Sequence, residues 1–108
     1  MSCRREDGLL RCFGTMTTGA AFGEATAEAV WRRGKPIPGL ATMRADICGA
    51  SMQRDRYGME VPYGWEIDHI RPVSNGGTDE LTNLQPLQWE NNRHKSYNWP
   101  EWQCSNRS

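Results

Sequence analysis

Hydrophobic and polar positions along the chain have helical spacing in one segment of its first half. Residues 22–33 contain good helix formers, with acidic residues early and arginines late, an order that the helix dipole favours. We expect a short helix there whose apolar face is formed by Phe22, Ala25, Ala29 and Val30. Gly34 and the prolines at 36 and 38 end the pattern and predict an extended connector.

Two other stretches show little periodicity. Residues 1–20 mix Arg, Gly, Thr and Ser without a sustained pattern, and we interpret them as a flexible N-terminal arm. Residues 41–63 look irregular, with a short strand or turn at 47–52 and a loop at 57–62. Because 108 residues are enough for one modest domain and too few for two, we expect a single domain over 21–104.

The second half of the chain alternates like a strand at 65–67 and again at 83–87. The polar loop between these segments contains Gly76 and Gly77, which favour a sharp reversal. A helical pattern follows at 89–96. The order of strand, long loop, strand and helix predicts a small single domain of the α+β class, with an N-terminal helical or irregular extension.

Composition narrows the possibilities only a little. The chain has 108 residues, 37% of them hydrophobic, and five Trp, which predicts a small core rich in aromatic side chains. The formal net charge is zero, so any nucleic-acid-binding face has to form by folding from small basic clusters. No apolar run approaches the ~20 residues that span a bilayer, and we expect no membrane contact.

The four cysteines include no Cys-x-x-Cys pair. Structural zinc sites usually take two ligands from one tight turn, so no structural zinc is expected. Nothing in the sequence indicates export. We therefore expect a cytoplasmic protein with free thiols, although an even number of cysteines would permit disulfides in an oxidising compartment.

Asp68 and His69, at the end of the first predicted strand of the second half, carry the candidate chemistry. A metal-dependent phosphodiesterase needs oxygen ligands for a hard divalent cation and a base that deprotonates water. Since consecutive side chains of a strand point to opposite faces, one of the two can face the metal and the other the water. An imidazole with an ordinary pKa of ~6.5 accepts a proton at neutral pH.

Four short motifs follow one another in the second half: Asp68-His69, Gly76-Gly77, Asn83-Leu84 and Asn92-Arg93-His94-Lys95. Together they resemble the HNH endonuclease family and its ββα-metal fold. The resemblance covers residues 63–99 firmly. It extends more weakly to the GKPIPG segment and to the stretch from Asp46 to Gly49, and it does not cover residues 1–20.

The resemblance implies that His69 is the general base, that Asp68 and Asn92 ligate one divalent metal, and that Asn83 braces the loop. It also implies cleavage of DNA to 5′-phosphate and 3′-hydroxyl ends. Because only one of the two ligands is charged, Mg²⁺ or Mn²⁺ is favoured over tightly held zinc. The residues that we expect to contact nucleic acid, with a solvated surface as the alternative, are Arg71, Arg93 and Lys95.

Two rival functions share these motifs. One is a non-catalytic module of HNH shape that binds nucleic acid, and the other is a nuclease subunit that depends on a partner protein. RNA is an alternative substrate, and a monomer is favoured. The sequence shows no DNA-reading motif outside the HNH segment, which predicts low sequence specificity.

Overall fold

The computed structural model describes residues 2–6 and 9–108, and this part of the chain forms seven strands and two helices. In chain order they are β1 (Cys3–Glu6), β2 (Leu9–Cys12), α1 (Glu24–Trp31), β3 (Lys35–Ile37), β4 (Leu40–Ala45), β5 (Ser51–Gln53), β6 (Trp65–His69), β7 (Leu84–Gln88) and α2 (Trp89–Lys95). The strands pair antiparallel in three small sheets, β1-β2, β3-β4-β5 and β6-β7. The predicted α+β class is confirmed.

The β6-β7 pair lies between the two helices. Its register joins Trp65 to Gln88 and His69 to Leu84, so alternate residues of β6 face opposite sides. Trp65 and Ile67 face α1 and pack in the apolar core, whereas Glu66 and Asp68 face α2 and bond its side chains. The strand-loop-strand-helix order that the sequence predicts is thus confirmed, with α2 following β7 directly.

The apolar core is small and aromatic, as composition predicts. It contains Phe22, Ala27, Val30, Trp31, Met52, Trp65, Ile67 and Leu84. The rings of Trp31 and Trp65 meet at 5.1 Å between centroids, and Tyr57 packs on the other side of Trp65 at 4.7 Å. Such aromatic pairs contribute about 0.5–1.5 kcal/mol beyond the area they bury.

Helix α1 lies where the sequence predicts it, and Phe22 and Val30 are buried as expected, but the rest of its buried face differs. Ala25 is exposed and Ala29 is half-buried, whereas Ala27, Val30 and Trp31 are buried. These three follow i, i+3, i+4 spacing, and the large Trp31 ring decides which side of a largely alanine helix turns inward.

The segments predicted to be irregular contain strands. Residues 35–53 form the β3-β4-β5 meander, where we expected an extended connector and then irregular chain with a short strand or turn at 47–52. The turn at 47–48 and the start of β5 agree with that last expectation, whereas β3 and β4 were not predicted. Residues 1–20 contain the β1-β2 hairpin, followed by a turn in which Met16 N donates to Ala20 O at 2.8 Å. The β1-β2 hairpin and the β3-β4-β5 meander are both stabilised by pairing between neighbouring strands. Short segments of mixed composition carry no periodic pattern that predicts this pairing. The boundary between an arm at 1–20 and a domain at 21–104 stays a prediction.

The prediction of free thiols is wrong. Cys3 is bonded to Cys12 across the β1-β2 hairpin, and Cys48 is bonded to Cys104 near the C-terminus. The second bridge spans 56 positions of sequence and ties the C-terminal segment to the turn that follows β4. Sequence spacing did not reveal either pairing, because partners are set by the folded chain.

Asp46, buried at the end of β4, gathers hydrogen bonds from three parts of the chain. Its carboxylate accepts from Cys48 N and Ala50 N at 2.9 Å, from Gln88 N at 3.0 Å and from Asn91 Nδ2 at 3.0 Å. Asn91 in turn accepts from the backbone N–H groups of the C-terminal residues 105 and 106 at 2.8 Å. This network holds the start of α2 against the β4-β5 turn.

Neither helix that the structure describes has the length and apolar character needed to cross a membrane.

Replacing Asp46 by Ala is expected to lower the free energy of unfolding by about 3 kcal/mol or more, because four buried donors lose their acceptor. Urea unfolding followed by tryptophan fluorescence measures the change. Asp55→Ala is the matched control, since Asp55 is exposed. An equal effect of both substitutions would contradict a structural role for the Asp46 network.

Removing the Cys48–Cys104 bridge by a double Cys→Ser substitution is expected to cost about 4 kcal/mol, according to the loop-entropy estimate for its length. The same change at Cys3 and Cys12 should cost less, about 2.7 kcal/mol, because that loop is short. Unfolding in urea compares the two variants, and thiol counting on the intact protein should find none reactive. Four reactive thiols in the oxidised, folded protein would refute both bridges.

Candidate active site

Asp68 occupies the face of β6 that packs on α2. Its carboxylate accepts from Gln85 Nε2 at 2.9 Å, across the β6-β7 pair, and lies 3.3 Å from Lys95 Nζ of α2. Asp68 is 5% exposed and Lys95 is 1% exposed. Burial raises the pKa of the Asp68 carboxyl above its ordinary value, and the Lys95 ammonium opposes that rise. The Asp68 carboxyl group is thus buried and held by one cation and one amide.

His69 points to the opposite face of the strand end, toward α1 and residues 9–20, which we call the N-terminal segment. Its Nε2 lies 2.8 Å from Asp79 Oδ1, and its ring lies 5.9 Å from the Phe22 ring. His69 is 4% exposed. Burial lowers the pKa of the imidazole, and the hydrogen bond to Asp79 only partly offsets this. The neutral ring, which is the form able to accept a proton, is therefore favoured at neutral pH.

Asn83 joins the two ends of the loop between β6 and β7. Its Oδ1 accepts from Arg71 N at 2.9 Å, and its Nδ2 donates to Arg71 O at 3.1 Å and to Thr78 O at 2.9 Å. These are the contacts expected of a residue that braces the loop without adding charge. The catalytic importance of Asn83 stays a prediction.

The two glycines of this loop are required by its geometry. Gly76 adopts a left-handed conformation with φ 85°. A Cβ on Gly77 would lie 1.7 Å from Arg71 O, so no larger residue fits without moving the backbone. The predicted sharp reversal is confirmed, and it brings residues 78–83 back beside the end of β6.

Asn92 faces the same strand surface as Asp68 but bonds a different residue. Its Nδ2 donates to Glu66 Oε1 at 2.7 Å, and Asn92 is 2% exposed. Glu66 also binds Arg93, whose second guanidinium nitrogen lies 2.8 Å from Glu66 Oε2. Ligation of a metal by Asn92 stays a prediction, with the amide oxygen as the atom on which it rests.

The three residues expected to contact nucleic acid are placed very differently. Arg71 is exposed, donates to Asn75 O at 2.6 Å and lies over the Trp99 ring. Arg93 is held between Glu66, Glu60 and the Phe13 ring. Lys95 is buried against Asp68 and donates to His69 O at 3.0 Å. Arg71 alone of the three lies on the open surface.

The donor set at the end of β6 can be compared with what a divalent cation needs. Among the described residues, no group of three or more His, Cys, Asp and Glu side chains is placed to hold a metal. One carboxylate oxygen from Asp68 and one amide oxygen from Asn92 suit a hard cation that keeps most of its waters. Asp68 and Asn92 fit such a cation, provided that the cation replaces the Lys95 ammonium beside Asp68.

Sequence reasoning missed Asp79 and Arg11, both of which lie near His69. Asp79 bonds the imidazole directly, and Arg11, which is buried, is close enough to lower the His69 pKa. A signal for Asp79 was present, because a functional histidine usually bonds a carboxylate or carbonyl and the loop carries an acid after Gly77. No signal pointed to Arg11, since its hairpin was not predicted.

Comparison with known proteins bears on the second half of the chain. Residues 46–98 match the family model described as HNH endonuclease. No curated protein and no solved structure matches the chain. The matched segment begins at Asp46, includes β6, β7 and α2, and contains every residue of the predicted site. With about half of its length in this match, the chain belongs to the HNH endonuclease family.

Proposed function

We propose that the chain is a metal-dependent endonuclease that hydrolyses phosphodiester bonds of DNA, with His69 as the general base. The observation that carries this proposal is the environment of His69. The imidazole is held by a hydrogen bond at the end of β6, next to Asp68, and burial lowers its pKa. A fixed neutral imidazole is what water activation near a bound cation requires.

In this mechanism His69 takes a proton from a water molecule whose oxygen attacks the phosphorus atom. The bond from phosphorus to the 3′ oxygen breaks, and the departing oxygen takes a proton from solvent water, which leaves 5′-phosphate and 3′-hydroxyl ends. When bound, a Mg²⁺ or Mn²⁺ ion held by Asp68 and Asn92 would stabilise negative charge on the phosphate and on the departing oxygen. Asn83 keeps the loop closed beside the base through its bonds to Arg71 and Thr78.

Contacts with the substrate are proposed for Arg71, Arg93 and Lys95, in an order that their environments suggest. Arg71 is exposed and follows the base by two positions, so it can reach a phosphate as it stands. Lys95 would gain that role only when a cation displaces it from Asp68. Arg93 is the least suited of the three to bind a phosphate, because two carboxylates, Glu60 and Glu66, already neutralise its charge.

The predicted cytoplasmic location and monomeric state are also proposals. The two disulfides bear on the location, because such bonds persist mainly in oxidising compartments. A cytoplasmic protein of this sequence would be expected to hold its cysteines reduced. Thiol counting on protein taken from cells would show whether the cysteines are reduced, as expected in the cytoplasm, or bonded, as expected in an oxidising compartment.

A nuclease that depends on a partner is the second candidate, and the burial of the site favours it. Asp68, His69 and Asn92 are each at most 5% exposed. The N-terminal segment lies against the partners of these residues, since Thr17 bonds Asp79 and Phe13 packs on Arg93. A partner that draws this segment aside would give substrate its access. A non-catalytic nucleic-acid-binding module is the reading that remains if no condition produces cleavage.

His69→Ala is expected to reduce plasmid nicking in Mg²⁺ or Mn²⁺ by about 10²–10⁴-fold, the usual contribution of a general base. His94→Ala is a matched control, because the chain has two histidines and His94 is exposed on α2. Gel assays of supercoiled, nicked and linear plasmid measure both variants. Equal loss in the two variants, or none in His69→Ala, would contradict the assignment of the base.

Mn²⁺ binding is expected to compete with Lys95 for Asp68. Lys95→Met should therefore bind Mn²⁺ at least about tenfold more tightly, since a unit charge near 4 Å contributes about 4 kcal/mol even at an effective dielectric constant of 20. Asp68→Asn should abolish the binding, and Asp55→Asn should leave it unchanged. Calorimetric titration of folded protein measures all three, and unchanged affinity in Lys95→Met would rule out the competition.

A further inference from the structure

Asp79 lies in the loop between β6 and β7 and is the polar partner of the His69 ring. Its Oδ1 is 2.8 Å from His69 Nε2, and the pair joins a side chain that is 3% exposed to one that is 23% exposed. The family motifs that identified the site do not include this residue. The bond is made at the ring nitrogen farther from the backbone, which leaves Nδ1 to face any other partner.

The Asp79 carboxylate is itself held by Thr17 of the N-terminal segment. Thr17 N lies 3.0 Å from Oδ1 and 3.2 Å from Oδ2, and Thr17 Oγ1 donates to Oδ2 at 2.9 Å. Both Thr17 groups donate, so they favour an ionised carboxylate. In agreement with this, the pKa of Asp79 is lowered: burial alone would raise it, and the bonds from His69 and Thr17 outweigh burial.

An ionised carboxylate can only accept, so the nitrogen that it meets must donate. In a neutral imidazole one nitrogen carries the proton and the other carries the lone pair. The bond to Asp79 therefore assigns the proton to Nε2 and the lone pair to Nδ1. Thr17 contributes by keeping the carboxylate in position from the far side.

We propose that Asp79 is a positioning residue that holds His69 in the Nε2–H tautomer, and that Thr17 of the N-terminal segment anchors Asp79. Nδ1 is then the atom that accepts the proton from water. This inference rests on the proposed function only in the use to which Nδ1 is put, because the tautomer itself is a property of the free protein.

The substitution Asp79→Asn gives a sharp expectation. Thr17 offers two donors, so the amide oxygen of the new side chain should turn toward Thr17 and its NH₂ group toward His69. The ring would then have to accept at Nε2 and carry its proton at Nδ1. The substitution should exchange the tautomer with little change of shape, and it should reduce nicking by about 10²–10⁴-fold because the lone pair no longer faces water.

The experiment is nitrogen NMR of the whole metal-free protein labelled with ¹⁵N-histidine. Two histidines give two ring systems, and His94, exposed on α2, serves as the internal reference. We expect Nε2–H for His69 in the parent and Nδ1–H in Asp79→Asn. Glu80→Gln, the same change at the next and exposed position, should leave both tautomer and nicking unchanged.

Thr17→Val provides a second variant should Asp79→Asn fail to fold. It removes the Oγ1 donor but keeps the backbone donor, so His69 should stay Nε2–H while nicking falls about tenfold. Thr18→Val is its control, because Thr18 is exposed and bonds only locally.

The outcomes separate the two proposals. An Nδ1–H ring in the parent, or an unchanged tautomer in a folded Asp79→Asn variant, overturns the positioning role whatever the nicking assay shows. The expected tautomers together with a parent that cuts neither DNA nor RNA would support the positioning role and overturn catalysis by the isolated chain. Loss of nicking with the expected exchange of tautomer supports both.

Discussion

The register of β6 against β7 is the constraint on which the rest of the site depends. In a strand, a shift of one residue turns every side chain to the other face. Here that shift would place Trp65 and Ile67 in the polar interface with α2. It would also place Glu66 and Asp68 in the aromatic core. The burial of Trp65 therefore stabilises the arrangement in which Asp68 meets α2 and His69 faces the opposite side.

Much of this arrangement could be predicted because it follows from local pattern. Alternation along β6 places Asp68 and His69 on opposite faces, and an amide such as that of Asn83 suits a loop whose ends need donors and an acceptor. Contacts between distant segments could not be predicted in this way. Thr17 meets Asp79 across 62 positions of sequence, and Cys48 meets Cys104 across 56, and neither pair leaves a periodic signal.

The α2 face of β6 carries two buried carboxylates, and each is neutralised from the helix. Arg93 binds Glu66, and Lys95 binds Asp68 and also donates to the backbone oxygen of His69. Buried charges are tolerated when they are paired, and breaking one pair is costly. The two pairs differ in geometry, since Arg93 binds with two nitrogens whereas Lys95 reaches Asp68 at 3.3 Å. The looser pair is thus the one beside the predicted metal ligand.

The N-terminal segment lies outside the matched family segment, yet it reaches both faces of β6. Phe13 packs on Arg93 on the α2 side, and Thr17 holds Asp79 on the side of His69. His69, which we propose as the general base, is 4% exposed, so this role requires a partner that sets its tautomer and a path by which substrate arrives. The same segment bears on both needs, because moving it to admit substrate would also release Asp79. In the proposed mechanism, substrate access and the orientation of His69 are therefore coupled through one short stretch of chain.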